Sequence, residues 1–185
     1  MTHRLASIAA LALSLGAAPA FATVLNFDDI ASDGAVPAAY GGLDWTSAGW
    51  TVFSQPQAPY TAHSGDGRIA SGFLAEDASS RIGFGQLAQF DGAWVAGQQG
   101  ATLSFQLYLN GALVHESAVL DPSATPSFLA SGYAGWVDSV VVHSSNHGEF
   151  VLDDLSFTAA VPEPQTALLL AGGLLALALR RRAHA

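Results

Sequence analysis

One stretch of alternating apolar and polar residues around an Asn-Gly pair restricts the fold of this chain more than any other feature. From Thr102 to Asn110, leucine and phenylalanine alternate with serine, glutamine and tyrosine, which is the period of a strand with one buried face. Asn110 and Gly111 tolerate the positive φ angles of a two-residue hairpin turn. A second, weaker alternation continues to Leu120. This stretch therefore predicts a β-hairpin.

The rest of the middle region is broken into short apolar runs by glycine, serine, asparagine and proline, a pattern that favours short strands over long helices. Further strands are predicted at Val24–Phe27, Leu43–Thr46, Trp50–Phe53, Arg68–Phe73, Leu87–Val95, Ser127–Ala130, Trp136–His143 and Phe150–Phe157. Short strands at this spacing predict an all-β fold in which two sheets pack as a β-sandwich.

The charge of the middle region, residues 23–160, excludes one class of partner. Arg68 and Arg81 are its only basic residues against fourteen carboxylates, a net charge of −12 with histidine neutral. A field of this sign repels phosphate backbones, so we expect no nucleic acid partner. The chain has no cysteine, and therefore neither disulfides nor cysteine-ligated zinc is available to stabilise an exported domain.

Two acidic pairs flank this region: Asp28 and Asp29 follow the first predicted strand, and Asp153 and Asp154 lie inside the last. Period-two counting places Asp153 on the same face as the apolar Leu155, so its carboxylate points toward the expected core. One explanation is a structural calcium ion bound by Asp28, Asp29 and Asp153, because oxygen ligands suit that cation. The other is a carboxylate that accepts backbone N–H groups of a loop, or that a bulge turns outward. We favour the second, because the chain has no DxDxDG-type loop.

Aromatic and histidine residues offer further candidates. Exposed rings could stack on sugar faces, with Asp44 or Gln57 binding hydroxyl groups, whereas buried rings would fill the core. The aromatic residues in question are Trp45, Trp50, Tyr60, Trp94 and Trp136. His143 and His147 stand four apart, but the residues between them favour a hairpin loop over a metal site.

Known catalytic motifs are not evident in the sequence. The chain contains no G-x-S-x-G elbow, no phosphate-binding glycine loop and no dinucleotide fingerprint. Acidic residues are plentiful, so a carboxylate pair for glycoside hydrolysis stays an alternative.

The N-terminal residues 1–22 have the layout of a secretory signal peptide. Arg4 precedes an apolar stretch that would form the signal helix, and small residues follow up to Ala20 and Ala22. We expect cleavage after Ala22, with Ala20 as the alternative. The exported domain would then comprise residues 23–160.

The C-terminal residues 161–185 consist of a proline-rich turn, an apolar run and a basic end. The prolines prevent a helix before the run, so the helix would cover residues 165–179 and rise about 22 Å, less than the roughly 30 Å of a bilayer core. Arginine side chains that extend to the interface would complete a transmembrane helix with residues 180–185 in the cytoplasm. The residues outside the apolar run are Val161, Pro162, Glu163 and Pro164 on one side, and Arg180, Arg181 and Arg182 on the other.

This segment resembles the PEP-CTERM sorting signal, in which a Pro-Glu-Pro motif precedes a short hydrophobic helix and a basic cluster. The resemblance implies recognition and cleavage by an exosortase, a membrane-embedded cysteine transpeptidase of Gram-negative bacteria that make exopolysaccharide. The protein would be held transiently in the inner membrane and would end at the cell surface or in the extracellular matrix.

The YGGLDW stretch from Tyr40 to Trp45, the opening FDD and the closing FVLDDLSF resemble exported β-sandwich domains often found ahead of such tails. Those domains look like galactose-binding-type jelly rolls, a fold shared with carbohydrate-binding modules. The resemblance implies a non-enzymatic binding or structural component linked to exopolysaccharide. The alternatives are a module specific for one glycan, or a glycoside hydrolase or lyase on the same fold.

Overall fold

The computed structural model describes residues 21–72, 79–160 and 172–174. Residues 21–160 form one compact unit, and residues 1–20 with 161–185 form another. Of the second unit only the helical residues 172–174 are described, so the sorting residues at 161–164 and 180–182, Ala20 and most of the expected helix at 165–179 lie outside the described residues. Within the described part of the chain, no helix is long and apolar enough to span a membrane.

The compact unit is built almost entirely of strands. Two predicted strands, Trp50–Phe53 and Ser127–Ala130, have the predicted bounds, whereas the strand predicted at Leu87–Val95 is the second half of a much longer one. The strands of the described residues are β1 (Ala22–Leu25), β2 (Gly34–Ala35), β3 (Leu43–Asp44), β4 (Trp50–Phe53), β5 (Arg68–Ser71), β6 (Ser79–Gly97), β7 (Leu103–Leu109), β8 (Ala112–Glu116), β9 (Ser127–Ala130), β10 (Val137–Ser144) and β11 (Phe150–Ala159).

The long strand β6 belongs to both sheets of the sandwich. Its first half pairs with β10 and β3, which gives a first sheet in the order β8-β7-β10-β6-β3. Its second half pairs with β11 and β9, which gives a second sheet in the order β2-β4-β5-β11-β6-β9, with β1 beside the end of β11. The predicted all-β sandwich is confirmed.

The core lies between the two sheets and is rich in large aromatic side chains. Trp45 and Trp50 are 3% and 2% exposed, and their rings meet edge to face with centroids 5.9 Å apart. Phe90 and Phe105, from the second and first sheet, make a similar contact at 5.0 Å. Burial of each such side chain stabilises the fold by about 1.5–3 kcal/mol. Both tryptophans therefore fill the core and are not available to a ligand.

The predicted hairpin is present as β7 and β8. Asn110 and Gly111 have φ angles of 52° and 78°, as the two-residue turn requires. The return strand is shorter than predicted, because the register shifts opposite Tyr108 and β8 ends at Glu116.

A bulge in β11 changes which residues face the core. Asp154 has a φ of 44°, and the register against β6 shifts between Asp153 and Ser156. Leu155 consequently packs in the main core, whereas Val151 belongs to a small cluster apart from it. The prediction that Asp153 shares a face with Leu155 was wrong, because period-two counting fails across a bulge.

The segment between β10 and β11 is also different from its prediction. These two strands both pair with β6 and not with each other. The segment that carries His147 therefore connects the two sheets instead of closing a hairpin. The His147 side chain is buried beside the hydroxyl groups of Ser71 and Ser80.

Candidate functional site: the polar face of the first sheet

The outer face of the first sheet carries two rows of mostly polar side chains, of which the first is interrupted by Val141. Residues directly opposite each other in antiparallel strands lie on the same side of the sheet. Gln106 is opposite both Glu116 and Val141, and Val141 is opposite Arg81, so this row crosses four strands. The neighbouring residues that alternate with these, such as Phe105, are buried in the core. The row therefore faces outward.

A second row lies two residues along, where Tyr108 is opposite Ser139 and Ser139 is opposite Gly83. Asp44 of β3 is opposite Gly83, and a Cβ atom on this glycine would lie 3.2 Å from the Asp44 Cβ. The lack of a side chain at Gly83 thus allows Asp44 to lie over the sheet. We call the two rows together with Ser104 and Asp138 the polar face.

Hydrogen bonds join one end of this face across β7 and β8. The Ser104 hydroxyl donates to Glu116 Oε1 at 3.0 Å, and Gln106 Nε2 approaches the same oxygen at 3.4 Å. The Tyr108 hydroxyl donates to Gln106 Oε1 at 3.2 Å. These side chains order one another in defined orientations on an open surface.

The other end of the polar face is organised by Arg81. Its Nη2 donates to the Ser139 hydroxyl at 2.6 Å and lies 3.8 Å from Asp138 Oδ1, and its guanidinium stands 5.9 Å from the centre of the Tyr108 ring. Ser139 donates in turn to Asp138 at 2.9 Å, and the backbone N–H of Asn110 donates to the other carboxylate oxygen. The Arg81 side chain is 46% exposed, so it remains accessible to a ligand.

The polar face ends at Asp44, whose carboxylate is held by Thr46. The hydroxyl and the backbone N–H of Thr46 donate to Asp44 Oδ1 at 2.6 and 2.9 Å. These bonds, with a smaller contribution from Arg81, hold the pKa of Asp44 below its ordinary value.

Together these groups supply what a hydroxyl-rich ligand needs: carboxylate and amide acceptors, guanidinium and amide donors, and one aromatic ring beside them.

The outer face of the second sheet is covered by the loop between β4 and β5. Arg68 holds this loop because its guanidinium donates only to backbone carbonyls: Nε to Tyr60 at 2.6 Å, Nη1 to Phe53 at 3.2 Å and to Asp66 at 2.9 Å, and Nη2 to Gln55. Arg68 is 2% exposed, and burial lowers its pKa below the ordinary range.

Two of the predicted calcium ligands bind this same loop. Asp153 accepts the backbone N–H groups of His63 and Ser64 at 2.7 and 2.9 Å, and Asp28 accepts those of Asp66 and Gly67 at 2.9 and 2.7 Å. Both carboxylates serve as acceptors for loop backbone, which is the second explanation considered above.

The third predicted ligand, Asp29, lies elsewhere and accepts the Tyr40 hydroxyl at 2.6 Å. Burial and this carboxylate raise the pKa of Tyr40. No group of three or more histidine, aspartate or glutamate side chains in the described part of the chain is placed to hold a metal ion.

Burial raises the pKa of Asp153 to about 6, although its three N–H donors act in the opposite direction. The residue is 2% exposed. A carboxyl group that is covered by a loop and already bonded to backbone cannot reach a substrate.

An aromatic cluster fastens the loop to the sheet. The His63 ring stacks on Trp94 at 3.5 Å with 9° between the planes, and His63 Nδ1 lies 2.6 Å from Asp154 Oδ2. Trp94 meets Phe128 edge to face at 5.7 Å. Because His63 covers one face of the Trp94 ring, this tryptophan is a poor platform for a sugar.

The remaining predicted site residue, Ala22, is the first residue of β1 and lies opposite Thr158. Cleavage after Ala22 would remove one residue of this strand, whereas cleavage after Ala20 would keep all of it.

Sequence reasoning did not find the polar face. The alternation of Ser104, Gln106 and Tyr108 was visible in the sequence, and Asp44 was a candidate for binding hydroxyl groups, but nothing in the sequence joined them. Arg81 and Asp138 lie in strands far away in the chain, and only the strand order brings them beside Tyr108.

The structure is thus a β-sandwich with one polar outer face and one outer face that is covered by a loop. At the end of the chain, residues 160–182 match the family model of the PEP-CTERM protein-sorting motif. The chain carries this motif, which marks it as an exported protein of the cell surface or extracellular space. No curated protein matches the chain in sequence.

Solved structures similar to this sandwich include a carbohydrate-binding module of family 29. It is 11% identical, with 77% of this chain and 90% of that chain covered and a TM-score of 0.45. Another is the CBM22-1 xylan-binding domain from Paenibacillus barcinonensis Xyn10C, at 12% identity, 80% and 100% coverage and a TM-score of 0.46. At these identities and TM-scores, the similarity says nothing about the ligand of this chain.

Proposed function

We propose that the exported sandwich is a non-enzymatic binding component that holds a neutral, hydroxyl-rich polysaccharide on its polar face. One observation carries the proposal: the ordered network from Glu116 through Gln106 and Tyr108 to Arg81, exposed on the outside of one sheet. Side chains that are already held by their neighbours lose little conformational freedom when a ligand binds.

The arrangement leaves hydrogen-bonding capacity for a ligand. Both bonds to Glu116 use Oε1, so Oε2 can accept from sugar hydroxyl groups. The guanidinium of Arg81 has five N–H groups, of which the bond to Ser139 uses one. The ring of Tyr108 offers an apolar surface for the C–H face of a sugar.

The charge of the domain favours a neutral ligand. With a net charge of −12 in residues 23–160, a uronic acid polymer would meet strong repulsion. Arg68 is buried against carbonyl groups and cannot offset it, and Arg81 lies between Tyr108 and the carboxylate of Asp138.

Binding is favoured over hydrolysis. Asp153 has a pKa near that of a general acid, but it lies under the loop between β4 and β5 and bonds to backbone. The polar carboxylates of Glu116 and Asp138 are engaged with neighbouring donors on an open sheet face.

The sorting motif supplies the cellular context. We propose that an exosortase cleaves the chain near Pro162–Pro164 and that the released domain associates with the exopolysaccharide of the producing Gram-negative cell. Mass spectrometry of surface material should then find a protein that lacks residues 168–185. Deletion of the exosortase gene should leave the full-length protein in the inner membrane. An intact C-terminus in released protein would contradict the processing.

Affinity gel electrophoresis with soluble polysaccharides tests the binding. Neutral glucans, mannans and xylans in the gel should include at least one that retards the protein, whereas alginate and pectate should not. Tyr108→Ala and Gln106→Ala should each weaken retardation at least about tenfold, equivalent to about 1.4 kcal/mol.

Two further variants test whether binding depends on the polar face. Gln98→Ala removes an exposed glutamine outside the polar face and should leave retardation unchanged. Phe128→Ala alters the exposed ring beside Trp94. Loss of retardation in Phe128→Ala but not in Tyr108→Ala would move the site to the second sheet and reject the polar face.

A further inference from the structure

The end of the sandwich at which the sorting tail leaves carries exposed apolar side chains. The backbone N–H of Ala160 donates to the Leu87 carbonyl at 2.7 Å, so the chain is fixed to the domain up to the last residue before the tail. Leu87 is 42% exposed. Ala88 is opposite both Ala159 and Val137, and Trp136, which precedes Val137, is 40% exposed.

The N-terminus lies at the same end. Ala22 is opposite Thr158, and Phe21 before it is 77% exposed. Phe21 stays in the protein if the signal peptide is cut after Ala20. We call Phe21, Leu87 and Trp136 the tail-side rim.

The segments that form this rim contain no charged side chain. These uncharged segments are residues 21–27, 82–90, 131–137 and 155–160, and longer uncharged runs, such as residues 92–115, lie elsewhere in the domain. The charged residues that directly flank these segments are Asp28, Arg81, Asp91, Asp138 and Asp154, and Asp138 is partly neutralised by Arg81.

The tether between this end of the domain and the expected membrane helix is short. The five Cα steps from Ala160 to Gln165 span at most about 18 Å, and Gln165 is where the apolar helix is expected to begin. Tryptophan and leucine at such a position suit the headgroup region of a bilayer, where an amphipathic ring is favoured and a carboxylate is not.

We propose that the tail-side rim is a lipid-contacting surface: Leu87 and Trp136 rest in the headgroup region of the bilayer until the tail is cleaved. The inference rests on the anchoring of the tail and is independent of glycan binding by the polar face.

Labelling of single cysteines tests this, because the chain has none of its own. The protein with its tail intact is placed in vesicles of phosphatidylethanolamine and phosphatidylglycerol. An environment-sensitive fluorophore is attached at Leu87→Cys or Trp136→Cys, both exposed positions that should accept it without loss of folding.

Two control positions lie at the other end of the sandwich. Gln98 follows Gly97, which is opposite Phe150 at the start of β11. From Phe150, β11 extends about 30 Å to Ala159, where the tail leaves. Val119 is apolar and 67% exposed. The adjacent Leu120 pairs with Leu103, which is opposite Ser144 at the end of β10 that is far from Val137 and the tail. Gln98→Cys and Val119→Cys therefore report a polar and an apolar site far from the tail.

We expect labels at 87 and 136 to shift to shorter wavelength and to be quenched by lipids spin-labelled in the headgroup, while labels at 98 and 119 stay unchanged. Equal signals at all four positions would overturn the proposal. So would a shift that needs added exosortase, which would assign the rim to the enzyme instead. Failure of the protein to float with the vesicles would reject tail anchoring and this inference together, and would leave glycan binding untouched.

Discussion

The buried carboxyl group of Asp153 should make the stability of the domain depend on pH. In the folded domain its pKa is raised to about 6, whereas an unperturbed aspartate titrates near 3.8. Between these two values the folded state holds a proton that the unfolded chain has released. The free energy of unfolding therefore falls as the pH rises through this window.

The magnitude follows from the size of the pKa difference. About two pKa units between the folded and unfolded chain correspond to about 3 kcal/mol, present below pH 4 and lost by about pH 7. The residue is only 2% exposed, so solvent screening reduces this little. For a domain of this size the loss would lower the melting temperature by roughly 8–15 °C.

Urea unfolding of residues 21–160 at several pH values from 4 to 7.5 measures the effect. The other acidic residues also repel one another as the pH rises, so Asp153→Asn provides the reference. The asparagine oxygen can still accept from His63 and Ser64, but the side chain does not titrate. The stability difference between wild type and Asp153→Asn should decline by about 3 kcal/mol across the range.

A difference that stays constant, or that grows in favour of wild type as the pH rises, would refute the argument. A stability difference that grows with pH would mean that the folded state prefers the ionised carboxylate, as a bound cation would require.

Three further predictions concern the loop, the metal and the tail. Gly65→Ala should lower the unfolding free energy by about 2–4 kcal/mol in urea titrations, because Gly65 has a φ of +50° and the new Cβ would lie 2.1 Å from the Asp28 carboxylate. The control variant Gly49→Ala, at a φ of +56° in open space, should cost only about 1 kcal/mol. Equal losses in the two variants would contradict this prediction. If Asp153 and either Asp28 or Asp29 share a calcium ion, thermal melts with calcium and with chelator should differ by several degrees, about 2.7 kcal/mol at a hundredfold excess over Kd, and the difference should vanish in Asp153→Asn. Superimposed melts would reject the metal. Replacement of the arginines at 180–182 by glutamine should reduce membrane retention in cell fractionation, because it removes the positive charge that fixes topology; unchanged retention would show that these arginines are dispensable.

Part of the fold was predictable because its determinants are local. The turn at Asn110 and Gly111 depends on the conformational preferences of two adjacent residues, and the strand at Trp50–Phe53 on alternation over four. The bulge at Asp154 was not predictable, since it depends on how β11 pairs with β6 and reverses the facing of every later residue in the strand.

The candidate sites also combine features that the sequence predicted with features that depend on the tertiary structure. The sequence predicted that Asp153 points toward the core, whereas Asp153 is buried under a loop that lies ninety residues earlier in the chain, and no local pattern indicates this pairing. The separation of exposed from buried tryptophans also depended on the assembled sheets: Trp45 and Trp50 face the core, while Trp136 lies on the surface.

The sequence by itself determined the all-β class, the acidic and cysteine-free character of the domain and the sorting motif, because each is written in neighbouring residues or in composition. Only the tertiary structure decided which side chains lie together on the surface. Strand order placed Arg81 of β6 beside Tyr108 of β7 through β10. It also brought Leu87 next to Ala160, and Trp136 precedes Val137, which pairs with the neighbouring Ala88. Such pairings join strands distant in the chain, and their choice depends on the packing of the whole sandwich and not on any local pattern.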